Sequence, residues 1–386
     1  MKTPLKILMM LHMPWNRNLG GSRVQIELAD ELIKMGHQVE KFAFEDAFPH
    51  FKGTAWETIT RPAFATKANK FVQNYGHHFD IIDAHQGNLT LPKEKLKFKG
   101  LWVSRSVGLH ELYYQFERST VRHFSPSRLK VRLWNQLLRW RNYREVINCR
   151  KSFQYCDLIN LPNATELDYL QDFAEKTVVF PFGLSQQRRE ALKAAIQPVS
   201  LRLSHPKVAF IGTWGYRKGS HDWGKIIREI RAEIPSVQFV FLGTGLSEEK
   251  VLQDLEMSPV SWLNVIPQYD SELLPKLLSD CTVGAFPSYL EGFGFAVLEK
   301  LAAGLPTVAY NVAGPKDILA SLEKTSLVPV GDWQQFSQKI ISIVQGDRGN
   351  YQELQEQGLE LMEQFAWEKI AQDMLYLYQC RLEAMG

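Results

Sequence analysis

The sequence of 386 residues contains few cysteines, no long apolar run and little net charge. Its four cysteines show no paired spacing, no CxxC and no nearby histidine ladder, which excludes a disulfide framework and a cysteine-ligated zinc module. No stretch approaches the roughly 20 apolar residues of a membrane-spanning helix. The formal net charge of +3 argues against a nucleic-acid partner. We therefore expect a cytoplasmic protein that binds no nucleic acid.

The composition is that of an ordinary globular protein. Hydrophobic residues make up 45% and charged residues 23% of the chain. The length allows two domains, each with its own core. The amino-terminal apolar run, residues 7–11, is short and no small-residue cleavage site follows it, so we interpret it as a buried strand rather than a signal peptide.

Apolar runs alternate with helical patterns along the chain, which predicts an open parallel sheet in each half. A turn of Gly20, Gly21 and Ser22 precedes a predicted helix, residues 24–34, with Ser22 as its N-cap. An amphipathic helix is predicted from about residue 367 to 383. The predicted strands are residues 6–11, 38–44, 79–84, 101–104, 156–161 and 177–180, then 208–211, 237–242, 265–266, 283–286 and 307–310.

A polar stretch, residues 185–206, carries prolines and has no strand pattern, so we predict a linker there. The predicted domains are residues 1–184 and 207–366, with the last helix, 367–386, packing back on the first. Two such sheets facing each other create a cleft at the carboxyl ends of their strands, where doubly wound folds bind ligands. Gly20 and Gly292 both follow predicted strands at those ends.

The most informative segment is FPSYLEGFGFAVLEKLAAGLPTVAY, residues 286–310, which is typical of a strand, a glycine loop and a helix. Glu291 and Glu299 lie eight residues apart in it. Gly292 and Gly294 let the backbone approach a ligand, and the first amides of the new helix have no intrahelical partner, so the site favours an anion. As an isolated pair, the two glutamates would be ordinary solvated residues. The whole pattern instead suits hydroxyl-rich groups on either side of a diphosphate.

This string resembles the signature of glycosyltransferase family 4, retaining enzymes of the GT-B fold. The shared elements are a Pro-Ser, a Glu-Gly-Phe-Gly, a second Glu eight residues after the first, and a Gly-x-Pro-x-Val-Ala strand, here residues 304–309. The resemblance implies an α/β fold of two doubly wound Rossmann-like domains facing a central cleft. It also implies transfer of a sugar from a nucleoside-diphosphate sugar to a glycan, lipid-linked or other hydroxyl acceptor, as in cell-surface polysaccharide or glycolipid synthesis.

The resemblance also assigns roles by position. Glu299 would bind the nucleotide ribose, and Glu291 would lie near the donor sugar and its reacting carbon. The backbone around Gly292, together with the amides of Phe293 and Gly294, would hold sugar hydroxyls or phosphate.

A second element, FIGTWGYRKG at residues 210–219, resembles the family's Gly-Arg-x-x-x-x-Lys-Gly, which binds the donor diphosphate. Lys218 and Gly219 match, but Thr213 stands where the arginine is expected. Arg217 can supply that charge, because a guanidinium bridges two phosphate oxygens. The alternative interpretation is a solvated basic turn. A further turn, FLGTG at 241–245, fits the family's next glycine loop and an ordinary tight turn equally well.

In the first half, NLGGSRVQIELADEL resembles the family's glycine-rich loop, so Gly20 and Gly21 would face the donor phosphate. The strand FDIIDAHQGN resembles the one leading to the acceptor pocket and makes His85 an acceptor-side candidate. In SRSVGLHELYY, Val107 occupies the family's histidine position and His110 follows three residues later as the catalytic candidate. A loop histidine is otherwise an ordinary polar residue.

The chemistry implied is stabilisation of a departing nucleoside diphosphate as the glycosidic bond stretches. The chain has no Asp-x-Asp triplet, with which many sugar transferases of another fold hold a metal. Arg217, Lys218 and a helix start can supply the same positive charge. We therefore predict no metal and no cofactor.

Residues 118–151 contain ten Lys or Arg against one Glu, with Trp134 and Trp140 in a predicted helix. They suit an interfacial helix that contacts anionic lipid at the inner face of the membrane, where a lipid-linked acceptor is presented. The alternative is a helix packing its Leu and Trp face on the first domain. For the whole chain, a sugar-nucleotide-binding protein without transfer activity, or another GT-B enzyme such as an epimerase or phosphorylase, also stays open.

Overall fold

The computed structural model describes residues 4–54, 57, 62–120, 129–322 and 326–385, and of residues 129–139 the helical backbone alone. The chain forms two compact units. Unit 1 consists of Met1–Pro181 and Trp367–Gly386, and unit 2 is the intervening Phe182–Ala366.

Unit 1 contains a six-stranded parallel sheet in the order β2-β1-β3-β4-β5-β6. The direction of the strand order reverses between β1 and β3, and such a switch point is where doubly wound sheets bind ligands. All residues of β3 and β4 are buried, as expected for strands covered on both faces. The strands are β1 Lys6–Met10, β2 Gln38–Phe42, β3 Ile81–His85, β4 Leu101–Arg105, β5 Leu158–Leu161 and β6 Thr177–Val179.

The helices of unit 1 cover both faces of this sheet's core, in which Met10, Ile82 and Trp102 are fully buried. They are α1 Gly20–Lys34, α2 Phe44–Ala47, α3 Phe64–Tyr75, α4 Lys93–Leu96, α5 His110–Thr120, α6 Leu129–Tyr155 and, at the end of the chain, α16 Trp367–Glu383.

Unit 2 repeats the architecture with the strand order β12-β11-β10-β7-β8-β9, again all parallel. Here the order reverses between β7 and β10. The strands are β7 Lys207–Ile211, β8 Gln238–Leu242, β9 Leu263–Ile266, β10 Val283–Phe286, β11 Thr307–Tyr310 and β12 Leu327–Val328. The helices are α7 Gln186–Ala194, α8 Val199–Ser204, α9 Ser220–Glu233, α10 Glu248–Asp254, α11 Leu274–Leu278, α12 Phe295–Ala302, α13 Pro315–Ile318, α14 Trp333–Gln345 and α15 Arg348–Leu361.

Residues 185–206, interpreted from the sequence as a linker, contain α7 and α8 and lie within unit 2. Arg202 holds α8 in unit 2. Its buried guanidinium donates to the carbonyl oxygens of Ser279, Ala303 and Gly304 at 2.8–3.0 Å. An arginine can be buried when backbone carbonyls accept its hydrogen bonds. The polar composition of residues 185–206 therefore did not indicate that this stretch packs into unit 2.

The start of α1 differs from its prediction. The helix begins at Gly20, and its N-cap residue is Leu19 rather than Ser22. Ser22 lies in the first turn and is buried, where its Oγ donates to the carbonyl oxygen of Pro14 at 2.7 Å. The hydroxyl therefore ties the preceding loop to the helix instead of capping a backbone amide.

Helix α16 completes the core of unit 1. Trp367 donates from its indole Nε1 to Glu27 Oε2 at 2.6 Å. Tyr378 reaches the fully buried pair of Arg105 and Asp83, with its hydroxyl 2.9 Å from Arg105 Nη2 and 2.9 Å from Asp83 Oδ2. Arg105 also donates from Nε to Asp83 Oδ1 at 2.9 Å. These contacts satisfy two charges that would otherwise be costly to bury.

Helix α6 is the longest helix of the described part of the chain, and its side chains before Trp140, including Trp134, lie outside the described residues. Val146, Cys149 and Phe153 pack into the core. On another face, Trp140 is 57% exposed, and the Arg144 guanidinium lies 4.8 Å from its ring centroid. Among the described residues, no helix combines the length and the hydropathy needed to cross a membrane.

Candidate active site

Two loops of unit 2 meet at the switch point of its sheet. One follows β7 and ends in a single 3-10 turn, Tyr216–Lys218, and the other follows β10. Gly219 is at φ +76°, and a Cβ added there would lie 2.1 Å from the carbonyl oxygen of Pro287. Tyr289 N donates to the carbonyl oxygen of Arg217 at 2.8 Å. Glycine is therefore required where the loops cross.

The loop crossing brings Glu291 together with both predicted cations. Glu291 is 7% exposed, and its Oε1 lies 2.9 Å from Arg217 Nη1 and 2.5 Å from Lys218 Nζ. Arg217 Nη1 also donates to the carbonyl oxygen of Leu290 at 3.0 Å. Burial on its own would raise the pKa of Glu291, but Lys218 and Arg217 outweigh it and hold the pKa below the usual value. One carboxylate oxygen thus contacts two cations.

Glu299 lies on α12 and is 3% exposed. Its Oε1 accepts hydrogen bonds from Arg188 Nη2 at 2.7 Å and from Nε at 3.1 Å. Arg188 also donates from Nη1 to the carbonyl oxygen of Ser271 at 3.3 Å. Two N–H groups of one planar guanidinium converge on this oxygen and hold it in place. Arg188 belongs to α7, in the stretch predicted as a linker, so the sequence analysis missed it.

Lys300 is a second residue that the sequence analysis missed. It is fully buried beside Glu299, and its Nζ donates to the carbonyl oxygen of Ala285 at 2.7 Å. Lys300 Nζ and Lys218 Nζ lie 4.8 and 4.7 Å from the centroid of the Phe286 ring. Burial, and then the neighbouring charge of Lys218, lower the pKa of Lys300 well below its ordinary value. A bound anion would favour its protonated form.

Helix α12 begins directly after the loop. Its N-cap residue is Gly294, which is at φ +101° and offers no side-chain cap. The first amides of a helix have no intrahelical partner, and they point toward its amino-terminal end. The loop itself is fixed by Asp222 of α9, whose Oδ2 accepts from the hydroxyls of Tyr289 at 2.7 Å and Tyr310 at 2.8 Å.

In unit 1, both predicted histidines lie at the carboxyl ends of strands. His85 ends β3 and is 1% exposed, and His110 is the first residue of α5. Their ring centroids are 5.7 Å apart, and His12, which follows β1, lies 4.6 Å from His85 and 5.8 Å from His110. Burial, and then His12 and His110, lower the pKa of His85 well below its usual value, and burial lowers that of His110 to about 4. The sequence analysis missed His12.

The two glycines predicted on the donor side, Gly20 and Gly21, lie in the first turn of α1. A Cβ on Gly21 would meet Met13 Cε at 2.5 Å, and Val107 Cγ2 is 4.0 Å from the same position. Around Gly20 nothing lies within 4 Å of an added Cβ. Gly21 therefore packs closely, whereas Gly20 leaves open space at the start of the helix.

Comparison with known proteins finds a family model that matches part of unit 2. Residues 193–360 match the model of the family described as glycosyl transferases group 1. The matched stretch contains Arg217, Lys218, Glu291 and Glu299, but not Arg188. A curated relative, the 2-deoxystreptamine N-acetyl-D-glucosaminyltransferase of Niallia circulans, is 23% identical over 146 residues, which is 38% of this chain. The match spans 38% of the length of that relative. It spans 33% of the length of the protein of the same name from Streptomyces fradiae.

Solved structures match nearly the whole chain. Sucrose-phosphate synthase from Thermosynechococcus elongatus has a TM-score of 0.73 at 19% identity, over 98% of this chain and 100% of that one. HepE from Anabaena, solved in complex with UDP-glucose, has a TM-score of 0.65 at 16% identity, over 97% of this chain and 100% of that one. The predicted GT-B fold, with two parallel doubly wound sheets, is confirmed.

Proposed function

We propose that this chain is a retaining glycosyltransferase of family 4 that moves a sugar from a nucleoside-diphosphate sugar to a hydroxyl acceptor without a metal. The observation that carries the proposal is the pairing of Glu291 with Arg217 and Lys218 at the switch point of unit 2. Two cations beside one another suit a diphosphate, and a diphosphate is the leaving group of such a donor. The match of residues 193–360 to glycosyl transferases group 1 supports it.

In this proposal Glu299 and Glu291 bind different parts of the donor. Glu299, oriented by Arg188, accepts hydrogen bonds from the ribose hydroxyls of the nucleotide. Glu291 lies beside the donor sugar, and the amides around Gly292, Phe293 and Gly294 bind sugar hydroxyls or phosphate. As the glycosidic bond breaks, Arg217 and Lys218 shift from Glu291 toward the phosphate oxygens, which accumulate the negative charge.

Unit 1 supplies the acceptor side. His85 and His110 are neutral at pH 7 because burial lowers the pKa of both. A neutral imidazole can accept a proton from an acceptor hydroxyl or donate a hydrogen bond to the sugar. We place Gly20 and Gly21 on the donor-phosphate side of this unit, where Gly20 leaves open space.

The experiment that tests the proposal is a thermal-shift panel of nucleoside-diphosphate sugars, followed by product detection. UDP-glucose is the first donor to test because HepE was solved with it. A donor at about a hundred times its dissociation constant stabilises the protein by roughly 2.7 kcal/mol. Glu299→Ala should erase the shift, whereas Glu291→Ala should keep it and abolish transfer. Glu249→Ala, an exposed carboxylate of α10, serves as the control and should alter neither.

A nucleotide-sugar-binding protein without transfer activity is the alternative function. The departures at Thr213 and Val107 from the family's arginine and histidine favour it. It predicts a thermal shift with donors but no product with any acceptor glycan and no free nucleoside diphosphate. An epimerase would instead return a changed sugar nucleotide without any acceptor.

We further place the protein in the cytoplasm, at the inner face of a membrane, where it would act in polysaccharide or glycolipid synthesis. Trp140 and Tyr143 are exposed on α6 near Arg144, and tryptophan with arginine is typical of interfacial helices. Flotation with anionic and neutral liposomes tests this placement. Binding only to anionic vesicles, reduced in a Trp140→Ser variant, is expected, and no lipid-dependent binding would contradict it.

A further inference from the structure

Three histidines of unit 1 form a cluster at the switch point of its sheet. His12 follows β1, His85 ends β3, and His110 begins α5, so three separate segments converge. One ring nitrogen from each histidine forms a set in which all three atoms lie within 4.8 Å of one another. His85 is buried, and the other two are half-buried.

The hydrogen bond made by His85 fixes its tautomer. Its Nδ1 lies 3.3 Å from the carbonyl oxygen of Gln86, and a carbonyl oxygen only accepts, so Nδ1 carries the proton. In the neutral ring the lone pair is therefore on Nε2. This buried Nε2 has no hydrogen-bond partner among the described residues. A buried acceptor left in this way is costly unless a ligand occupies the position it faces.

A hydrogen bond of His12 fixes its tautomer as well. Its Nδ1 lies 3.2 Å from Asn88 Oδ1. Asn88 donates from Nδ2 to the carbonyl oxygen of Met10 at 3.0 Å, which orients the amide with its oxygen toward His12. The proton of His12 is thus on Nδ1 and the lone pair on Nε2. An oxygen acceptor behind the distal N–H is the usual support of a metal-binding histidine.

We propose that His12, His85 and His110 bind one divalent transition-metal ion through three imidazole nitrogens, with the fourth position open. Zinc is the probe ion, because imidazole suits zinc, whereas magnesium prefers oxygen ligands. Zn–N bonds of about 2.1 Å place tetrahedral ligand nitrogens about 3.4 Å apart. Because the three nitrogens lie within 4.8 Å of one another, no pair has to close by more than about 1.4 Å to reach that spacing.

This site is distinct from the charges proposed to stabilise the leaving group. Arg217, Lys218 and Glu291 belong to unit 2, whereas the three histidines belong to unit 1. The metal is assigned no part in sugar transfer. Metal binding is measured without donor or acceptor, so its failure and a failure of the proposed transferase function are separate results.

The test is a zinc titration of the full chain, first treated with EDTA and desalted, in competition with a chromophoric chelator. One equivalent should bind. His85→Ala should abolish this binding, and His12→Gln and His110→Gln should each weaken it at least tenfold. Asn88→Ala, which removes the support behind His12, should weaken it about 10- to 100-fold. His77→Ala changes an exposed histidine whose ring centroid lies 4.0 Å from that of His78, and it should leave zinc binding unaltered.

Absence of zinc binding would overturn the proposal, and so would an affinity that His12→Gln and His110→Gln both leave unchanged. Circular dichroism checks the folding of each variant. If His85→Ala does not fold, the variants of the two half-buried histidines decide the question alone. Magnesium should not compete with zinc, and equal binding of both ions would also contradict an imidazole site.

Discussion

Arg188 and Glu299 are separated by 111 residues in sequence and are joined by two hydrogen bonds, of 2.7 and 3.1 Å. If Glu299 binds ribose, Arg188 is the residue that positions it. We expect Arg188→Ala to weaken nucleotide binding about 10- to 100-fold, the equivalent of hydrogen bonds to a charged group. Calorimetry with UDP measures it. Arg189→Ala, at the neighbouring position, is the control and should bind as the wild type does.

A double-mutant cycle tests whether Arg188 acts on nucleotide binding by positioning Glu299 or by a general effect on the fold. Once Glu299→Ala has been made, adding Arg188→Ala should cost little more affinity. Additive losses would show that Arg188 acts independently of Glu299. Arg188→Lys should restore only part of the affinity, because its ammonium can donate to Glu299 Oε1 but lacks the planar pair of N–H groups with which Arg188 reaches that oxygen.

The ion pairs of Glu291 make its contribution to stability depend on pH. Its pKa is lowered in the folded state from the usual 4.5, so the contribution is fully present above pH 4.5 and is lost as the pH falls through the folded value. The difference in unfolding free energy between the wild type and Glu291→Gln should be constant between about pH 6 and 8 and shrink below pH 4.5. Urea denaturation at several pH values measures it, and a difference that grows on acidification would contradict these pairs.

The buried Lys300 should lower the free energy of unfolding near neutral pH. Its pKa is lowered in the folded state from the usual 10.5, so the unfolded chain binds more protons and stability rises with pH. Lys300→Met keeps the chain length and removes the charge. We expect it to raise the unfolding free energy by about 1 kcal/mol at pH 7, with a gain that fades as the pH approaches 10.5.

Lys316→Met, an exposed lysine of α13, is the matched control for this measurement and should change the stability little. Under the proposed function, Lys300→Met should also weaken binding of a nucleoside diphosphate, because a bound anion favours the protonated lysine. Loss of stability at pH 7 would mean that the hydrogen bond to Ala285 outweighs the burial of the charge.

Treatment with EDTA should leave sugar transfer at least as fast as before. In the proposed function, Arg217, Lys218 and the start of α12 provide the positive charge for the leaving group, and a metal bound by the histidine cluster is assigned no part in transfer. An assay of released nucleoside diphosphate before and after chelation measures this. If EDTA abolished transfer and magnesium restored it, the account of the leaving group would be wrong.

Tyr378→Phe should destabilise unit 1 by about 1–3 kcal/mol, because it removes a hydroxyl bonded to both Arg105 and Asp83 in a buried network. Denaturant unfolding followed by fluorescence measures the loss. Tyr376→Phe, on the exposed side of α16, is the control and should cost less than about 0.5 kcal/mol. Equal effects would contradict the role of the buried hydroxyl.

The strands were largely predictable because both sheets are parallel and buried. Such strands are continuous apolar runs, and β10, Val283–Phe286, and β11, Thr307–Tyr310, have the predicted bounds. Strand β12, Leu327–Val328, was not predicted because two apolar residues are too short a run to indicate a strand. The start of α1 was wrong because a serine after two glycines fits an N-cap as well as a first turn.

The candidate site was predictable where its residues belong to a sequence motif, and Arg217 and Lys218 share one such motif. Glu291 and Glu299 share one motif, whereas Arg188 meets Glu299 through folding alone. Lys300 has the spacing of an ordinary helix residue, and nothing local indicates that it is buried. His12 lies in an apolar amino-terminal segment, and its proximity to His85 follows from the pairing of β1 with β3.

The return of α16 to unit 1 has a consequence for biosynthesis. On the ribosome, Arg105, Asp83 and Glu27 are translated more than 250 residues before Tyr378 and Trp367 reach them. The nascent first unit must therefore keep an incomplete, charged interior while the second unit is still emerging. A premature stop codon shortly before Trp367 would leave unit 2 complete but remove α16 from unit 1. Unit 1, although translated first, would then be the part that proteases and chaperones recognise.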